Sequence, residues 1–254
     1  MNIENTAHFV MQSKGGAGKS VVSFLLAQYL QDFTESLILV DIDASNKTLG
    51  SFKKLDVNKI NVLNKNKLVD QSKFDSFIDD FVEAEKPMLV DTGAGDFLAI
   101  NGYMVEQDLP AVFKEMGKKI IIHVPLNFSQ AKDDTMKCLV DLLVNHKEAT
   151  IIIWENEFFG ENPDNIQASA IMKKFKNIGG VVKIRQLNKD TDQKDFSTML
   201  ENKLTFEEAF DTSNKHLFGF SQKIRLKRVK NEIWGELDEL FDGLAAAELK
   251  SEAE

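Results

Sequence analysis

The stretch Ser13-Lys14-Gly15-Gly16-Ala17-Gly18-Lys19-Ser20 is where residue types and spacing point most directly to chemistry. Closely spaced glycines let successive backbone N–H groups converge on an anion where a chain enters a helix. Lys19 would then reach the terminal phosphates of a nucleotide as a point charge. The Ser20 hydroxyl would complete a Mg²⁺ coordination sphere otherwise made of phosphate oxygens and water. Gly15, Gly16, Ala17, Gly18, Lys19, Ser20 and Val21 are therefore the candidate nucleotide-binding segment. A glycine-rich turn without a ligand would need neither two lysines nor a serine directly after the second.

Acids stand at the ends of two apolar runs: Asp41 and Asp43 close Ser36–Asp43 (SLILVDID), and Asp91 closes Met88–Asp91 (MLVD). In open parallel sheets ligands bind beyond the carboxyl ends of the strands, which is where these acids would lie. Asp91 suits the holding of a Mg²⁺-bound water, and Thr92-Gly93-Ala94-Gly95 suits a loop that senses the terminal phosphate. Asp41 would support the metal from behind, with the capping of a turn as its alternative. Ser20, Asp41 and Asp91 form the expected metal set.

The elements that must position these groups follow from periodicity. Continuous apolar runs predict strands at Ala7–Gln12, Ser36–Asp43, Met88–Asp91, Lys119–Val124, Thr150–Trp154 and Gly180–Ile184. Runs without alternation suit strands covered on both faces. The spacings between them predict helices at Val21–Leu30, Lys73–Glu85, Met104–Met116, Ala131–Asn145, Ile166–Asn177 and Ser221–Leu244. The expected fold is α/β, a mostly parallel sheet flanked by helices on both faces. No Gly/Ser/Pro-rich linker or repeat divides the 254 residues, so one domain spans residues 1–254, with residues 245–254 as a frayed acidic tail.

Composition narrows the function classes. A net charge of -9 argues against a surface that coats DNA, because non-specific duplex binding rests on summed cationic contacts. The one local exception is Lys215, Lys223, Arg225, Lys227, Arg228 and Lys230, uninterrupted by acids. On a helix, Lys223, Lys227, Lys230 and Trp234 would form one stripe, either a DNA or acidic-partner surface or a solvated face. Cys138 is the only cysteine, which rules out an internal disulfide or a thiolate-only metal site. With a polar N-terminus and no spanning apolar run, a cytoplasmic protein that binds no membrane is expected. His8, His123, His146 and His216 lack metal-ligand spacing, and His123 in an apolar run is expected in the core.

Lys14 before the paired glycines, with Ser13 in place of a first glycine, gives the variant K-G-G-x-G-K-[ST] of the phosphate-binding loop. In this the chain resembles the P-loop ATPase family that includes ParA and MinD. The resemblance is closest to TraL-type ATPases of conjugative plasmids, with StbB-type plasmid stability proteins next. It is carried by His8–Leu30, Asp41–Val57, Val90–Gly95 (VDTGAG), Trp154–Gly160 (WENEFFG) and Leu204–Phe210 (LTFEEAF).

The resemblance implies binding and hydrolysis of ATP with Mg²⁺, an ATP-dependent homodimer, and a protein partner in plasmid transfer or maintenance. It assigns Lys14 to the partner subunit's nucleotide, Asp43 to the attacking water and Asn156 to the base. Lys14, Lys19 and Asp43 are thus the expected catalytic residues. The chain departs from the ParA pattern at Ala44-Ser45, where Pro-Gln is common, at Val21, where a second hydroxyl residue is frequent, and at Glu157, where TraL-type chains tend to carry proline. Asn188-Lys189-Asp190-Thr191 fails the guanine-reading pattern N-K-x-D at its fourth position. The rival readings are a small-molecule kinase or carboxylate-activating ligase on the same scaffold, and a binding module that does not hydrolyse.

Overall fold

The computed structural model describes residues 3–42, 48–66, 68–84, 86–160 and 170–252. Among these residues are seven strands: β1 (Thr6–Val10), β2 (Ile38–Asp41), β3 (Asn58–Lys59), β4 (Met88–Asp91), β5 (Lys119–Asn127), β6 (Thr150–Asn156) and β7 (Ile178–Ile184). They form one sheet in the order β3-β2-β4-β1-β5-β6-β7, and every pairing is parallel. β1 lies between β4 and β5, so the strand order reverses around it and a crevice opens beyond its carboxyl end.

Helices cover both faces, as the unbroken apolar strands require. On one face pack α1 (Lys19–Gln31), α7 (Asp192–Glu201), α8 (Phe206–Phe210) and α9 (Phe220–Glu252), against Val10, Leu89, Ile121 and Trp154 of the sheet. On the other pack α2 (Gln71–Ala84), α3 (Phe97–Glu106), α4 (Leu109–Glu115) and α5 (Lys132–Asn145), against Phe9, Val90, Ile122 and Ile153. A short α6 (Ala170–Lys174) precedes β7.

Several elements differ from expectation. The helix expected over Met104–Met116 is two helices, α3 and α4, separated at Asp108, whose φ is 47°. Pro110 is the cause: it lacks the N–H that an uninterrupted helix would use, and a first turn accepts it without loss. The two-residue β3 was not expected, nor was α7. α9 continues through Glu252, and Glu248 pairs with Lys119 at 2.7 Å, where a frayed tail was expected.

Beneath α9 the two strand histidines meet. His8 Nδ1 lies 2.9 Å from His123 Nε2, and Trp154 Nε1 donates to His123 Nδ1 at 3.0 Å. Because the indole N–H occupies His123 Nδ1, a neutral His123 must carry its proton on Nε2 and donate to His8. His8 then donates through Nε2 to Thr6 Oγ1, 3.1 Å away. Burial pushes His8 down to about 3 and His123 well below its ordinary value. Both are core residues, as expected of His123.

Candidate functional site

The loop after β1 is pinned before it turns. The Met11 N–H donates to the His123 carbonyl at 2.9 Å, and the Gln12 side-chain amide donates to the carbonyls of Pro125 and Thr135 at 3.0 and 3.3 Å. The Ser13 N–H faces Cys138 Sγ at 3.4 Å. The chain then turns through Gly16 and Gly18, with φ of 74° and 101°, and enters α1 at Lys19. No side chain caps that helix start and no acid occupies its first turn, so its first N–H groups face outward with the positive end of the helix dipole. The space beside Gly15 and Gly16 is open to 4 Å. Lys19 is buried and folds back, its Nζ 3.4 Å from the Lys14 carbonyl.

Asp41 and Asp91 are register partners on β2 and β4, and both are buried. Asp91 Oδ1 accepts from the Ser23 hydroxyl at 2.7 Å. Burial pushes the Asp91 carboxyl up to about 7; hydrogen bonds from Ser23 and Ser20 and the Lys19 charge oppose this, while the Asp41 charge reinforces it. Asp41 Oδ2 accepts from the Gly50 N–H at 2.8 Å. Thr92 Oγ1 donates to the Val10 carbonyl at 2.7 Å, locking the end of β4 to β1 just before the Gly93–Gly95 turn. Asp43 lies outside the described residues.

Two acids and a serine, with no described cluster of three or more His, Cys, Asp or Glu side chains, do not make an all-protein metal cage. The set fits a hard cation that takes its remaining ligands from phosphate and water, as Mg²⁺ does. A buried acid pushed toward neutrality beside a second acid is also a pair short of positive charge.

Lys14 is not folded into the loop. Its Nζ donates to Asp134 Oδ2 at 2.7 Å, in the first turn of α5, with both side chains about half exposed (46% and 60%). Asn156, at the end of β6, is buried against the loop: its Nδ2 donates to the Ala17 carbonyl at 3.4 Å and its Oδ1 accepts from the Phe158 N–H at 3.2 Å. Beyond it opens a cavity of about 140 Å³, walled by Val21, Phe158, Leu187, Phe196 and Ile233. Its position follows from the loop, since Val21 is next to Ser20 in sequence and Asn156 touches Ala17.

No family model matches the chain. Two curated Escherichia coli proteins, each named Protein TraL, align with it over 236 residues at 28% and 27% identity, covering 91% of this chain and 96% of theirs. Over nine-tenths of its length the chain is similar to these two TraL proteins. Among solved structures it is similar to the MinC:MinD cell division protein complex of Aquifex aeolicus (12% identity, 89% of this chain and 96% of that chain, TM-score 0.49). It is also similar to a nucleotide-binding protein in complex with ADP from Archaeoglobus fulgidus (16% identity, 91% of each chain, TM-score 0.43).

The basic run of α9 is largely tied down. Lys223 Nζ donates to the carbonyls of Phe210 and Asp211 at 2.9 and 2.8 Å, closing the end of α8. Arg225 pairs with Asp195 at 2.6 Å and Arg228 with Asp192, joining α9 to α7. Lys230 lies over the Trp234 ring at 4.8 Å, and Trp234 Nε1 donates to Asp32 at 2.7 Å. The expected stripe is therefore mostly a packing seam; Lys215 and Lys227 stay exposed with no ion pair among the described residues. No described helix is long and apolar enough to cross a membrane.

Two site residues escaped the sequence. Ser23 carried a usable signal, since its spacing of four from Lys19 places it on the same helix face. Asp134 carried none, because only the fold brings the start of α5 to the loop.

Proposed function

We propose that the chain is a Mg²⁺-dependent ATPase that works as a dimerising switch in plasmid transfer or maintenance. The observation that carries this reading is the uncapped start of α1 behind a glycine loop, with Lys19, Ser20, Asp41 and Asp91 gathered around it. Outward N–H groups and Lys19 would bind and orient the β- and γ-phosphates. Ser20 would hold the metal, with Asp91 and Asp41 behind it, and the ion would supply positive charge to the phosphate oxygens. The resemblance assigns Asp43 to orient the water that attacks the γ-phosphorus; the β–γ bridging bond would break, and ADP and phosphate would leave. The base would enter the apolar cavity beyond Asn156.

Lys14 would leave Asp134 and reach the partner subunit's nucleotide, which would make dimerisation depend on ATP. The plasmid role rests on the resemblance to TraL. Phosphate release and equilibrium ATP binding test the chemistry: wild type should bind and slowly hydrolyse ATP with Mg²⁺, and Lys19→Ala should lose both. Wild type that binds no ATP at millimolar concentration would end the proposal.

A further inference from the structure

The cavity next to the phosphate loop has two ends. Val21 and Asn156 mark the end near the loop. At the other end it shares Arg185, Leu187, Val229 and Glu232 with a second, polar cavity that continues to Asn188 and Arg228. A purine nucleotide whose phosphates lie on Gly15–Ser20 would present the six-membered edge of its base to that far end.

What waits there is a carboxylate. Glu232 is exposed on α9 and makes no hydrogen bond or ion pair among the described residues. The neighbouring arginines are directed to other acids: Arg185 lies 4.0 Å from Glu236, and Arg228 bonds Asp192. Glu236, one turn further along, is tied by its Oε2 to the Lys183 N–H of β7 at 3.2 Å. Glu232 is thus an acceptor without a partner at the mouth of an apolar slot.

We infer that Glu232 selects the base at this site by accepting a hydrogen bond from the 6-amino group of adenine. The inference rests on the nucleotide-binding reading above. An ionised carboxylate only accepts, and a bond to it is about twice as strong as a neutral one. The 6-amino group of adenine donates. A 6-oxo purine such as hypoxanthine turns an oxygen toward Glu232, leaving acceptor against acceptor, which costs on the order of tenfold or more in affinity.

The test is calorimetric binding of ATP and ITP, with Mg²⁺, to wild type, Glu232→Gln and Glu232→Ala. Wild type should prefer ATP by about tenfold or more; Glu232→Gln, whose amide can donate to the 6-oxo group, should bring the two within about threefold, mainly through tighter ITP binding. Glu232→Ala should narrow the ratio by weakening ATP. Thermal stability should not move, because the side chain is exposed and unbonded. A ratio equal in wild type and Glu232→Gln, or a wild type that prefers ITP, overturns the inference and leaves nucleotide binding standing. Wild type that binds neither nucleotide overturns both.

Discussion

The Ser23 hydroxyl and the Asp91 carboxylate, joined at 2.7 Å, tie the second turn of α1 to the last residue of β4. Ser20, one turn earlier on the same helix face, also helps to hold the Asp91 carboxyl down against its burial. One buried acid is therefore coupled to both turns that follow the phosphate loop. Any ion or phosphate that draws on Ser20 acts on Asp91 as well.

Asp91 should make the folded protein less stable as pH rises. Its folded value is about 7 against an ordinary 3.8, so between those values the native state keeps a proton that the unfolded chain has lost. Stability then falls with rising pH across that window, by at most about 1.4 kcal/mol per pH unit. Asp91→Asn should remove the effect. Melting curves in EDTA should place the variant above wild type at pH 8 and level with it near pH 4; a variant less stable than wild type at pH 8 would refute this.

The histidine pair should act in the opposite direction. His8 at about 3 and His123, also lowered, are neutral when folded but titrate near 6.5 when unfolded. Their contribution is complete above pH 6.5 and is lost as pH falls toward the folded values, at up to about 1.4 kcal/mol per pH unit for each. His146, which burial pushes down to about 4, adds in the same direction, so stability should rise from pH 4 to about pH 7. Urea midpoints from pH 4 to 8 would show it, and a flat profile would count against both shifts.

Gly18→Ala should damage the loop through two separable effects. At φ 101° an alanine is strained, and its Cβ would stand 2.3 Å from Asn156 Nδ2. The backbone part alone costs roughly 1–3 kcal/mol. Adding Asn156→Ala should recover the contact part and leave the strain. Urea denaturation of both single variants and the double variant measures the difference; full recovery in the double variant would show that conformation is not the constraint.

Asp134→Asn should leave stability close to that of wild type, because a pair this exposed contributes little in water. The same should hold for Lys14→Ala. Thermal melts of the two variants check this, and a marked drop in the midpoint would assign Lys14 a structural role instead.

The sheet, the loop and both buried acids were legible in the sequence because each rests on local pattern: unbroken apolar runs, glycines before a helix, acids at strand ends. Pro110 announced the break between α3 and α4, yet the apolar residues on either side concealed it. The basic run of α9 misled for the converse reason. Charge is visible in sequence, but Asp192, Asp195 and Asp32, which hold Arg228, Arg225 and Trp234, are distant in the chain and arrive only with the fold. Asn156 was singled out through the resemblance, but its bond to the Ala17 carbonyl was not legible in the sequence.

The most direct test of the proposed switch is solution mass by light scattering, with Mg²⁺ and either ADP or a slowly hydrolysed ATP analogue, for wild type and Lys14→Ala. The account predicts a dimer for wild type with the ATP analogue alone, and a monomer for Lys14→Ala in both states. A mass that ignores nucleotide in wild type, or a Lys14→Ala protein that dimerises as wild type does, would contradict it.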